Sequence, residues 1–177
     1  MVAEPLETAA TEAWLERRAI RAGSDLPEIW ALLDDISDPE IPVVSLWDLG
    51  ILRDVRREGD ELVVTITPTY CGCPAMTEIE QDIRRRLAEV GHRLVRVETR
   101  LSPPWSTDAL SPRAREALHG YGIAPPCVGC AAGEGQPSCP RCGSGATRPV
   151  AEFGSTACKA LWQCDDCHES FDYFKPI

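Results

Sequence analysis

The chain has 177 residues, of which 44% are hydrophobic and 26% charged, proportions of a globular protein with room for one ordinary domain and a small one. Its 18 basic and 28 acidic residues give a net charge of −10, which argues against a general nucleic-acid binder. No apolar run approaches the ~20 residues of a membrane helix, and the acidic, Ala-rich residues 1–16 lack the basic start and apolar segment of a signal peptide, so the expected compartment is the cytoplasm.

Residues 6–22, with Trp14, Leu15 and Ile20 among Ala, Glu and Arg, read as a short helix in a helical or flexible extension over 1–24. Pro27 suits the first turn of a firmer helix over 27–36, where its missing N–H costs nothing. Ile29, Leu32, Leu33 and Ile36 give that helix one apolar face, and Pro39 ends it. Residues 53–57 and 61–67 read as a hairpin turned by Gly59-Asp60, with Leu62, Val64 and Ile66 on one face. A helix over 75–90 carries the stripe Met76, Ile79, Ile83, Leu87 and Val90 and stops at Gly91. A third strand, 94–101, alternates Val95, Val97, Thr99 and Leu101 with Arg96, Glu98 and Arg100. Ser111 caps a helix over 112–120. The α-β-β-α-β order predicts an α+β sandwich with helices on one face of a small sheet. The body is expected over 25–122. The stiff stretch Ala124-Pro125-Pro126 opens a tail over 123–177, whose core is expected to be separate.

Seven of the nine cysteines lie in the last 57 residues. An odd number without an export signal argues for metal over a disulfide framework. Cys139-Pro140-Arg141-Cys142-Gly143 and Cys164-Asp165-Asp166-Cys167 are two C-x-x-C knuckles. In each, a tight turn presents two sulfurs to one ion, so Cys139, Cys142, Cys164 and Cys167 make a closed four-thiolate site of the structural zinc type. Short strands at 150–153, 160–163 and 171–174 complete a zinc ribbon, whose small core leaves much of its folding to the metal. Iron in a rubredoxin-like site is the alternative, since four thiolates do not select zinc by geometry alone. Cys127 and Cys130 read as a half-site completed in space, a redox pair or two surface thiols. Cys158 is expected to be buried or near the knuckles, and His168 to lie outside the ligand set.

A second constellation joins Asp38-Pro39-Glu40-Ile41-Pro42 to Thr67-Pro68-Thr69-Tyr70-Cys71-Gly72-Cys73-Pro74. Cys73 precedes a helix, where free N–H groups are expected to lower a thiol's pKa. With Cys71 beside it and oxygen ligands from Asp38 and Glu40, it forms a mixed donor set that suits iron. The plainer reading has Asp38 ending a turn, Glu40 at the surface and Cys73 as a cap, and chemistry alone favours it. No histidine base accompanies Cys73, which argues against a cysteine hydrolase.

Asp38 to Pro42, Asp48-Leu49-Gly50 and Thr67 to Ala75 resemble the MIP18/DUF59 family of iron–sulfur assembly factors. The Cys-Pro-Arg-Cys knuckle, the run from Glu152 to Leu161 and Phe171-Asp172-Tyr173-Phe174-Lys175 narrow the resemblance to the PaaD family, the D components of bacterial ring-1,2-phenylacetyl-CoA epoxidase systems. It covers about residues 26–177. It implies an accessory protein of aerobic phenylacetate breakdown that is not itself catalytic and carries a transient iron or iron–sulfur cluster on its body. The implied partners are the oxygenase and reductase components of the epoxidase; a homodimer stays open. Consistently, the chain has no dinucleotide loop. An electron-transfer subunit with a four-sulfur iron site and a structural adaptor remain alternatives. Cys71 stands where the family usually has serine, and Pro176 where relatives often carry cysteine.

Overall fold

The computed structural model describes residues 10–127 and 135–176. Its elements in chain order are α1 (Glu12–Ala22), α2 (Pro27–Asp34), α3 (Leu46–Leu49), β1 (Leu52–Glu58), β2 (Glu61–Ile66), α4 (Met76–Glu89), β3 (Val95–Thr99), α5 (Pro112–Tyr121), β4 (Ile123–Ala124), β5 (Thr147–Ala151), β6 (Lys159–Cys164) and β7 (Ser170–Phe174). A short 3-10 turn, Thr107–Ala109, precedes α5.

The first sheet has the order β1-β2-β3. β1 and β2 pair antiparallel as the expected hairpin. β3 runs parallel to β2, which needs a crossover, and α4 supplies it. A bulge between Leu52 and Asp54 lets both Leu52 and Val55 face inward, although they are three residues apart. The strand therefore begins one residue before its expected start. Leu62, Val64 and Ile66 join them in the core, with Ile79, Ile83 and Leu87 of α4 packed above. The opposite face is polar: Arg56 bonds Glu98 at 3.0 Å, Arg96 bonds Glu61 at 2.9 Å, and Arg56 also reaches the Thr65 hydroxyl at 3.0 Å.

Helix α1, in the stretch expected to be helical or flexible, is docked on the body. Leu15 and Ile20 stay exposed, whereas Arg17 is only 2% exposed. Its guanidinium donates to the carbonyls of Ala109, Trp47 and Leu52 and lies 4.2 Å from the centre of the Trp47 ring. Trp14 and Trp30 flank Trp47 at 5.3 and 5.2 Å. Trp30, outside the expected stripe of α2, is fully buried for this reason.

Ser45 caps α3, an element too short to show periodicity. It ends at Gly50, whose φ of +86° is left-handed and where a Cβ would stand 2.8 Å from that of Ala109. Asp48 bonds Ser45 and Arg113. The Asp48-Leu49-Gly50 motif is thereby scaffold. Ser111 caps α5 as expected, accepting from Ala114 N at 2.9 Å.

The second sheet has the order β4-β7-β6-β5. Its edge strand β4, parallel to β7, begins two residues before the expected linker prolines. The ribbon has a small core of its own, Ala124, Cys139, Cys164, Phe171 and Tyr173. Contrary to the expectation of separate cores, Cys158 and Phe174 belong to the body's apolar cluster. The reason is that the ends of β6 and β7 away from the knuckles reach the body, where Phe174 meets Trp105. Among the described residues no helix is long and apolar enough to cross a membrane.

Candidate metal centre and thiol site

Each knuckle is a turn closed by backbone hydrogen bonds. Gly143 N donates to Cys139 O at 2.8 Å, and His168 N to Cys164 O at 3.1 Å. The N–H groups of Ser144, Cys167 and Glu169 bond the sulfurs of Cys142, Cys164 and Cys167, so the turns face their dipoles toward negative thiolates. The four Sγ atoms lie within 4.8 Å of one another. Cys139 and Cys167 stand 3.7 Å apart, and Cys142 and Cys164 3.6 Å. Sulfurs at the corners of a tetrahedron with ~2.3 Å metal–sulfur bonds are ~3.8 Å apart, so these two pairs already have the spacing that one shared ion requires. Bound there, a zinc ion would supply cross-linking of the ribbon, and an iron ion a one-electron couple. His168 is not in the group.

The body site is built differently. Asp38, 5% exposed, accepts from Glu40 N at 2.9 Å and Ile41 N at 2.8 Å through one oxygen, a turn that fixes its carboxylate. Burial raises its pKa, more than those two bonds lower it. Glu40 is half-buried. Cys73 lies before the N-cap Ala75 of α4, later than expected for the helix start. Its half-buried sulfur accepts from the Ala75 N–H and the Tyr70 hydroxyl. The expected lowering of its pKa does not occur. Burial pushes the thiol up, Glu40 and Asp38 add to that push, and the two hydrogen bonds do not outweigh them. Tyr70 is itself pushed up to about 12 by burial and by the neighbouring charges. Cys71 is exposed.

Asp38 and Glu40 lie within electrostatic reach of Cys73. They do not gather with it into a closed ligand set: among the described residues, the ribbon quartet is the group whose ligand atoms come together. The spacing arguments missed what else stands here. Cys158, 4% exposed, belongs to the cluster against which Tyr70 and Cys73 pack, and its sulfur is 3.0 Å from the Thr156 hydroxyl. Burial raises its pKa too, with Glu40 and Asp38 adding to the rise. Lys159, also 4% exposed, follows it. Its lack of a C-x-x-C partner was the available signal that this cysteine serves outside the knuckles. Cys127 takes part in a disulfide, and Cys130 lies outside the described residues.

Two family profiles match the chain: an iron-sulfur cluster assembly protein over residues 27–99, and a PaaD zinc beta ribbon domain over 124–175. An Escherichia coli (strain K12) protein named as the D component of a "Putative 1,2-phenylacetyl-CoA epoxidase" is 47% identical over 165 residues, spanning 92% of this chain and all of the relative. A Porphyromonas gingivalis Fe-S protein maturation auxiliary factor is 36% identical over 89 residues, 49% of this chain and 84% of that one. A crystal structure of a DUF59 domain from Bacillus anthracis covers 59% of this chain and 95% of its own, with 28% identity and a TM-score of 0.48. With an assembly-type α+β body, a four-cysteine ribbon and a relative matched along its whole length, the chain belongs to the PaaD family.

Proposed function

We propose that this chain is an accessory component of a phenylacetyl-CoA epoxidase system, one that holds iron or an iron–sulfur cluster in transit to the oxygenase or reductase component. In this reading residues 25–122 carry the cargo, and 123–177 form the ribbon. The names of the Escherichia coli and Porphyromonas gingivalis relatives support the setting and the chemistry.

The observation that carries the reading is the contrast between two thiol sites. The ribbon offers a complete quartet, which suits a resident ion. The body offers Cys73, backed by Tyr70 and flanked by Asp38 and Glu40, without a closed set. An incomplete set leaves coordination positions for a donor or acceptor protein, as transfer requires. When Cys73 gives up its proton to bind cargo, the Tyr70 hydroxyl and Ala75 N–H stabilise the thiolate, and Asp38 is held in place by its turn. In this reading Cys71, exposed and two residues from Cys73, receives cargo first.

The test is Cys73→Ala in cells. The variant should fold and keep its ribbon metal, while the epoxidase components accumulate without metal or cluster and growth on phenylacetate fails. Epoxidase already loaded with its cofactors should work without this chain. If loaded enzyme needs the chain in every assay, and the isolated chain shows a reversible one-electron couple, the electron-transfer alternative replaces this reading.

A further inference from the structure

The proposed function places the cargo at the body, yet Cys158 and Lys159 belong to the ribbon. They stand at one end of β6, whose other end is the ligand Cys164. Six residues of extended chain span about 20 Å, so Cys158 is out of reach of the quartet. It lies instead in the body's apolar cluster, against which Tyr70 and Cys73 pack. Asp38 and Glu40 act electrostatically on both thiols, and Tyr70 is affected by both.

A buried cysteine alone would be only a small apolar residue. Its surroundings are not those of an apolar filler. Lys159 is 4% exposed, and a buried ammonium is costly unless compensated. Its ion pair with Asp172 is loose, at 3.6 Å, and its charge also acts on Asp38 and Cys158. The loop that presents the pair is pinned. Ser155 donates from its N–H and hydroxyl to Asp172 at 3.3 and 2.7 Å. At Gly154 an added Cβ would stand 2.3 Å from the same carboxylate. Lys175 N holds the Cys158 carbonyl at 3.0 Å.

We propose, building on the cargo-holding reading, that the ribbon completes the body's site: Cys158 is the second thiol ligand beside Cys73, and Lys159 is the fixed positive charge that offsets two thiolates and two carboxylates. Binding a divalent ion forms two metal–sulfur bonds and releases the two thiol protons to solvent. The site then exists only where the ribbon is docked on the body, so the resident ion of the quartet holds the transfer site in shape through β6.

The experiment uses the full chain with zinc in its ribbon, kept anaerobic, and one further equivalent of cadmium-113 ion as the probe. It is run in wild type and in Cys71→Ser, so that Cys71 does not supply a sulfur. The cadmium resonance should report two sulfur ligands in both; a four-sulfur resonance would mark exchange into the ribbon and is separate. Cys158→Ser and Cys73→Ser, each added to Cys71→Ser, should each reduce the count to one and weaken cadmium binding at least tenfold. A one-sulfur resonance in Cys71→Ser overturns the proposal even if Cys158→Ser fails to fold. A cadmium affinity that depends on Cys73 but not on Cys158 overturns it too, and leaves the cargo-holding reading standing. Affinity indifferent to both cysteines overturns both.

Discussion

Trp105 of the body and Phe174 of the ribbon meet with ring centres 5.9 Å apart. Both are nearly or fully buried, at 3% and 0% exposure, and both belong to one apolar cluster that also contains Cys158. The ribbon is therefore part of the body's packing, and its metal is coupled to more than its own fold.

That coupling sets the first prediction. Cys142→Ser, or removal of the ion by a chelator, should unfold the ribbon, whose own core is five buried residues. Withdrawing Phe174 from its place over Trp105 should then cost the body roughly 2–3 kcal/mol. Near-ultraviolet circular dichroism and the urea midpoint of the body should both change on chelation. A body transition identical with and without the ion would contradict the shared core.

Arg17 makes a second prediction. Arg17→Ala removes a side-chain donor from the carbonyls of Ala109, Trp47 and Leu52 and the guanidinium from Trp47. A loss of about 3 kcal/mol in urea denaturation is expected. Leu15→Ala on the same helix, at an exposed position, should change stability by no more than about 0.5 kcal/mol. Equal effects of the two would mean that α1 is not held by Arg17.

Asp38 gives a pH dependence. Burial raises its pKa in the folded protein above the ordinary value, so the native state holds the proton more tightly than the unfolded chain. Its contribution is fully present below the unfolded pKa and is lost as pH rises through the folded pKa. Asp38→Asn keeps an oxygen for the Glu40 and Ile41 N–H groups and removes the charge. The variant should be at least as stable as wild type at pH 7, with the difference shrinking toward pH 3, while cargo binding weakens. Thermal melts across that range measure the first part and cadmium titration the second.

Tyr70→Phe separates support of the thiolate from packing. The ring stays against the core, and only the hydroxyl bonded to Cys73 is removed. A hydrogen bond to a charged group contributes about 1.5–3 kcal/mol, so cadmium affinity at Cys73 should fall tenfold or more with little change in urea midpoint. Unchanged affinity would show that the hydroxyl does not support the bound thiolate.

The longer elements and the ribbon's ligands were legible in the chain because they are local properties. The stripe Ile79, Ile83, Leu87 repeats at the helical period, and C-x-x-C spacing fits a turn that aims two sulfurs one way, so the quartet gathers as the spacing predicts. The body's donors were legible mainly through the resemblance of Asp38 to Pro42 and Thr67 to Ala75 to a family; their residue types alone favoured a capped turn. Tertiary structure decided the rest. The burial of Arg17 depends on carbonyls contributed by Trp47, Leu52 and Ala109. The rise of the Cys73 pKa depends on the burial that the assembled fold imposes, which outweighs the single N–H of Ala75 at its sulfur. Cys158 could be assigned neither to the knuckles nor to the body from its neighbours in sequence. Its place follows from where the far end of β6 enters the body's apolar cluster, a meeting of distant segments that no local period or spacing encodes.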